Sequence, residues 1–190
     1  MPAPAARTLE YTRAEYLALD EAAEEGRRWE YDGSRIYPMA GATPEHNQVA
    51  HNVSRHLGNA LVPRGGHVTQ SDQRVHLPPR YVYPDVVAHC VDGRYTDENP
   101  PSLQNPELVV EVISESTAAK DMNWKLPAYQ EMSSIREIWL VRVEKVRVDQ
   151  YVRTGANEWA LRYFESMDDV LRSEAFDLKI PVAELYELVR

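Results

Sequence analysis

Hydrophobic and polar positions repeat along this chain with two different periods. Tyr16, Leu19 and Ala23 follow Thr12-Arg13-Ala14-Glu15 at helical spacing, and that tetrapeptide has the form of a capping box. The spacing predicts a helix of about three turns ending near Gly26, with Glu24 and Glu25 exposed. A second helical stripe, Val49, Val53, Leu57 and Leu61, follows Thr43-Pro44, which suits an N-cap residue and a proline at the first helical position. Between the two, Arg28–Tyr31 and Ser34–Tyr37 flank Asp32-Gly33, a two-residue hairpin signal.

The middle of the chain changes period. Gly65-Gly66 ends the second helix, and His67–Gln70 and Arg74–Leu77 read as short strands before Pro78-Pro79. Two apolar runs rich in β-branched residues follow, Tyr83–Ala88 and Glu107–Ile113. Such runs suit the centre of a sheet covered on both faces. The polar segment between them, Asp92–Pro106 with Asn99-Pro100-Pro101 at its middle, is long enough to be a candidate for substrate contact. Ser114–Thr117 opens a third helix, which carries Lys120, Asp121, Lys125 and Tyr129 and ends around Ser133-Ser134. Arg136–Val141, Val146–Val152 and Trp159–Phe164 then read as an antiparallel meander with one solvated face, and Glu184-Leu185-Tyr186 as part of a short closing helix. No repeat or linker divides the 190 residues, so one domain over 1–190 is expected, with residues 1–10 as a flexible tail.

Composition narrows the class. A hydrophobic fraction of 43% and a charged fraction of 27% are ordinary for a soluble domain. No apolar segment approaches membrane-spanning length, and the first residues lack the basic and apolar blocks of a signal peptide. The one cysteine, Cys90, excludes an intrachain disulfide and a multi-cysteine zinc site, and its place after the Asp85 run reads as a buried core thiol. A cytoplasmic location is expected. The net charge of −9 argues against broad, non-specific nucleic-acid binding but leaves room for a local basic patch.

Asp85 and Glu111 are the two carboxylates that interrupt the apolar runs. Desolvating a charge costs several kcal/mol, so each needs a cation or a raised pKa. Two uncompensated carboxylates about 4 Å apart would repel by about 4 kcal/mol at an effective dielectric of 20. Neighbouring strands that brought them together would make a site for Mg²⁺ or Mn²⁺, which favour hard oxygen ligands. The structural alternative is an ion-pair network with arginines such as Arg74 or Arg136. Lys120 and Lys125 follow on the next helix, from which either could reach back; for Lys125 the plain alternative is an i,i+4 pair with Asp121, and for Tyr129 a core position. Glu30 alternates with Trp29 and Tyr31 and reads as a solvated strand glutamate. His46 and His56 lie roughly 15 Å apart along a helix axis, too far to share an ion. His46 reads as a core histidine with a hydrogen-bond partner, or as one that looks into a site.

Several of these motifs, in this order, resemble the Uma2 family: Trp29–Gly33, Met39–His46, Pro84-Asp85-Val86, Leu108–Thr117, Asp121-x-x-x-Lys125-x-x-x-Tyr129 and Arg136–Val141. The likeness covers roughly residues 12 to 165. It implies an α/β fold of the restriction-endonuclease-like, PD-(D/E)xK type: a mixed β-sheet flanked by helices, here with an antiparallel C-terminal meander. It also implies a Mg²⁺- or Mn²⁺-dependent endonuclease acting on DNA. By motif position Asp85 and Glu111 would bind the metal, with the carbonyl of Val112 as a further ligand. The usual lysine position, two residues after the second acid, is Ile113 here, and Lys125 on the following helix is the matching lysine. Glu30 would be the extra acid that some such nucleases supply from their N-terminal part, with His46 and Tyr129 flanking the site. A homodimer is plausible for a protein that cuts both strands. The rival readings are a nuclease-fold protein of binding or assembly without cleavage, and a metal-dependent hydrolase of a small phosphorylated substrate. A basic open cleft at Asp85 would favour the nuclease, a small closed pocket the third reading, and lack of metal affinity the second.

Overall fold

Thr12 and Glu15 exchange hydrogen bonds at the head of α1 (Arg13–Glu21), the Glu15 carboxylate accepting the Thr12 amide and the Thr12 hydroxyl accepting the Glu15 amide. The computed structural model describes residues 10–189 apart from 25, 26, 40 and 91, and leaves aside the side chains of 115–121. The proposed tail over 1–10 therefore lies outside the described residues up to position 9, as do Glu25 and Gly26. α1 stops at Glu21, earlier than its apolar spacing suggested. Asp20, in its last turn, is buried rather than solvated.

β1 (Trp29–Tyr31) and β2 (Ile36–Pro38) form the expected hairpin, but its connection is Asp32–Arg35, four residues rather than two. The Asp32 carboxylate accepts the amides of Ser34 and Arg35 at 2.8 and 2.7 Å, and Gly33 supplies the positive φ. α2 (Pro44–Leu61) begins with Thr43 capping His46, as read from sequence, and buries Val49, Val53, Leu57 and Leu61. A 3₁₀ turn (Val62–Arg64) leads to β3 (His67–Gln70), then β4 (Val75–Leu77) and β5 (Arg80–Val82). β1, β2, β4 and β5 make a small antiparallel sheet in the order β2-β1-β5-β4.

The main sheet has six strands. β6 (Val86–His89) and β7 (Leu108–Ile113) lie antiparallel at its centre; α3 (Glu115–Glu131) then crosses over to β8 (Glu137–Arg142), which runs parallel to β7. β9 (Val148–Arg153) and β10 (Trp159–Phe164) complete the meander, giving the order β10-β9-β8-β7-β6-β3. One face, with Val86, Ala88, Val110 and Val112, packs under α2. The other, with Val87, Val109, Ile113 and Leu140, packs under α3 through Ala128 and Tyr129. Burial on both faces is why β6 and β7 read as continuous apolar runs. The fold is therefore the mixed sheet flanked by helices that the motifs implied.

Three details depart from the sequence reading. β8 is covered on both faces, so the solvated side of the meander belongs to β10, where Leu161 and Tyr163 are exposed. Cys90 is exposed, because β6 ends at His89 and Cys90 enters the turn beyond it, its amide donating to Glu107 Oε2. A further hairpin, β11 (Val170–Ser173) and β12 (Leu178–Pro181), precedes the short α4 (Val182–Leu185) and closes the core beneath α2. The fully buried Glu137 ties this hairpin to the sheet, accepting from Trp139 Nε1 and Gln150 Nε2 at 2.8 Å and from Ser173 Oγ at 2.5 Å.

Candidate active site

The β6–β7 register pairs Val86 with Val110, and one step outward it sets Asp85 beside Glu111. Asp85 stands just before β6, where regular pairing has ended, and its Oδ2 accepts the Val112 amide at 2.7 Å. In a strand the amide and carbonyl of one residue face the same edge, so the Val112 carbonyl is turned toward Asp85 as well. From the first turn of α2, His46 Nε2 lies 3.3 Å from the same Asp85 oxygen. His46 thus has its hydrogen-bond partner and also looks into the site. Burial alone would lower the His46 pKa, but its hydrogen bond to Asp85 and the charge there raise it.

Glu111 is on the α3 face of the sheet. Its Oε1 accepts Tyr129 Oη at 2.5 Å and lies 3.4 Å from Lys125 Nζ. Lys125 and Tyr129 are one helical turn apart, so both side chains reach one point on β7. The closer partner of Lys125 is Glu30: Nζ to Oε1 is 2.8 Å. Glu30 is buried, which corrects its reading as a solvated residue, because the β1 face opposite Trp29 and Tyr31 is turned toward α3. The same Glu30 oxygen accepts the Tyr83 amide at 3.1 Å. Tyr37, opposite Glu30 across the β1–β2 pair, stacks on Trp124, the residue before Lys125, with ring centroids 5.7 Å apart. An aromatic stack and an ion pair therefore dock the small sheet on α3 side by side.

Electrostatics follow from this crowding. Burial pushes the Glu111 carboxyl up to about 7; Asp85 and Glu30 push the same way, and Lys125 and Tyr129 oppose them. Burial alone would favour a neutral Lys125, but Glu111 and Glu30 outweigh it and hold the amine as an ammonium above its usual range. Burial, then Glu111, raise the Tyr129 hydroxyl well above its usual value. The arginine alternative does not apply: Arg74 pairs with Asp20 and Glu98, and Arg136 lies over the Phe176 ring. Lys125 spends its charge on Glu30 and Glu111, while the side chains of Lys120 and Asp121 lie outside those described.

The donor set fits a hard divalent cation in one particular way. The described hydrogen bonds use only one oxygen of each acid, Oδ2 of Asp85 and Oε1 of Glu111. Those carboxylates with the Val112 carbonyl would hold Mg²⁺ or Mn²⁺ at one side, the remaining positions falling to water and phosphate oxygens. Among the described residues no three His, Cys, Asp or Glu side chains make a closed metal cage. Glu30 is committed to Lys125 and to the Tyr83 amide.

A scan against protein-family models matches residues 13–183 to Uma2, described as "Putative restriction endonuclease". The chain belongs to the Uma2 family. Relatives in Synechocystis sp. (strain PCC 6803) include the uncharacterized protein sll1609, 34% identical over 152 residues (79% of this chain, 85% of the relative), and the uncharacterized protein slr1290, 28% identical over 174 residues (90% and 89%). The fold is similar to that of a crystal structure described as a putative nuclease belonging to DUF820 from Anabaena variabilis, with a TM-score of 0.72, 16% identity, and coverage of 95% of this chain and 99% of that one. Uma2 membership sets the coarse class as nuclease-like.

Sequence reasoning did not find the polar framework behind the site. Asp20, Arg74, Tyr83 and Glu98 form a buried network that turns the middle of the 92–106 loop inward, with Glu98 and Ser102 on Arg74. One signal was available: Asp20 stands four residues after Tyr16 on the apolar side of α1, where a carboxylate needs a partner.

Proposed function

We propose that this Uma2 protein is a Mg²⁺- or Mn²⁺-dependent endonuclease that hydrolyses DNA phosphodiester bonds at the Asp85–Glu111–Lys125 site. The observation that carries the reading is a buried ammonium 3.4 Å from the Glu111 carboxylate, on the strand whose register sets Asp85 beside that acid. Asp85, Glu111 and the Val112 carbonyl bind the ion. When bound, such an ion supplies positive charge to the phosphate oxygens and acidifies water for in-line attack. Lys125, fixed by Glu30 and Glu111, orients the attacking water and offsets negative charge on the phosphate. Its two carboxylate partners keep it charged, so it works as a donor and not as the base. His46 holds Asp85, and Tyr129 holds Glu111.

Two surface cavities of about 420 and 410 Å³ are lined by Arg55, Glu184 and Glu187, and by His56, Arg64 and Asp177; neither is lined by Asp85 or Glu111. Among the described residues no helix is long and apolar enough to cross a membrane. On this reading the chain acts as one domain in the cytoplasm, and as a homodimer whose two sites address opposite strands.

The test is Mg²⁺- and Mn²⁺-dependent cleavage of single- and double-stranded DNA by the wild type and by Asp85→Ala, Glu111→Ala and Lys125→Ala. Metal-dependent cutting that falls at least 100-fold in each variant is expected. A wild type inert on every nucleic acid tried and without affinity for Mn²⁺ would turn the reading to a nuclease-fold binding protein.

A further inference from the structure

Asp20 is a buried carboxylate far from the acid pair in sequence, with its side chain 1% exposed. Its two oxygens hold three donors on separate segments. Oδ1 accepts the amide of Trp29, the residue before Glu30. Oδ2 accepts the hydroxyl of Tyr83 at 2.6 Å and Arg74 Nη1 at 2.7 Å. Tyr83 in turn gives its amide to Glu30 Oε1 and stands two residues before Asp85. One carboxylate on α1 therefore grips both segments that deliver acids to the site: β1, which carries Glu30, and the approach to β6, which carries Asp85. Arg74 anchors the grip from behind through Ser102 Oγ, Glu98 and the Pro100 carbonyl.

Site geometry is sensitive at the ångström level, so a group that fixes two such segments acts on the reaction without touching substrate. We propose that Asp20 is a positioning residue of the site, acting through Trp29 and Tyr83 on Glu30 and through Glu30 on the Lys125 ammonium. The kinetic part of this inference rests on the nuclease reading; the placement of Lys125 does not.

Tyr83→Phe is the informative variant, since it removes the hydroxyl contact with Asp20 and keeps the amide that binds Glu30. Asp20→Asn also takes a buried counter-charge from Arg74 and serves as a second variant where it folds. The first readout is NMR hydrogen exchange of the Lys125 ammonium in metal-free protein, with the Trp139 indole N–H on Glu137 as an internal reference. Exchange at Lys125 at least tenfold faster in Tyr83→Phe, with Trp139 unchanged within twofold, is the expected result. An unchanged Lys125, or equal acceleration at both groups, would overturn the proposal. The second readout is kinetic: kcat about tenfold lower with KM unchanged, and Tyr83→Phe adding nothing to Glu30→Gln. Full additivity of the two substitutions would overturn it as well. If wild type cuts no nucleic acid, the nuclease reading fails by itself and the exchange experiment alone decides the role of Asp20.

Discussion

Lys125 Nζ is closer to Glu30 than to Glu111, at 2.8 Å against 3.4 Å. The lysine of the site is thus held mainly from the small N-terminal sheet, and only secondarily from the strand that carries the second acid. The helix brings Lys125 over Glu111, and β1 supplies the countercharge that makes its burial tolerable; on the proposed nuclease reading this lets a lysine on α3 serve the site.

Glu30→Gln keeps an acceptor for the Tyr83 amide but removes that countercharge. Cleavage should fall by roughly 10- to 100-fold, an effect of about 1.4 to 3 kcal/mol on the barrier, while Mn²⁺ affinity stays within about twofold of wild type. Parallel kinetics and calorimetry check the split.

Lys125→Met leaves two buried carboxylates without their cation. Removing one partner from a buried pair costs about 3–5 kcal/mol, and metal-free protein should lose stability on that scale in urea unfolding. Adding Glu30→Gln to Lys125→Met should recover part of the loss.

The pH dependence of metal-free stability has a definite sign. Glu111 is raised from 4.5 to about 7 by burial, so between those values the folded state holds a proton that the unfolded chain has released. Its contribution is complete below about 4.5 and is lost as the pH rises through about 7. His46, also raised, acts in the same direction. Metal-free protein should therefore weaken between about pH 5 and 7, and Glu111→Gln should flatten that slope. A divalent ion favours the ionised carboxylate, so Mn²⁺ affinity should rise over the same interval.

Glu137 makes a separate prediction about stability alone. Glu137→Ala leaves Trp139 Nε1, Gln150 Nε2 and Ser173 Oγ without their shared acceptor, at a cost on the order of 3 kcal/mol or more. Thermal unfolding should show the loss, while cleavage per folded molecule at low temperature stays near wild type.

The sequence singled out the acid pair proposed as the site more readily than the residues packed behind it. Asp85 and Glu111 stood out because an ionised group in a doubly covered strand demands compensation, and Thr12 and Thr43 marked helix starts through local hydrogen bonding alone. Glu30 was misread because alternation tells which residues share a face and not which face is buried; a short strand with a polar face looks solvated until a helix packs on it. Asp20, Tyr83 and Arg74 meet over separations of 54 and 63 residues, which no local period records. Cys90 was placed one residue too far into the strand, a boundary error that reversed its exposure. The β11–β12 hairpin escaped because its strands are four residues long and mix apolar with charged positions.

The most direct measurement is titration of the wild type, Asp85→Asn and Glu111→Gln with Mn²⁺ near pH 8, followed by calorimetry and by the EPR signal of free Mn²⁺. One ion per wild-type chain is predicted, with affinity at least tenfold weaker in each variant taken alone, because both acids hold the same ion. Wild-type affinity retained in either variant would contradict a shared site and the account built on it.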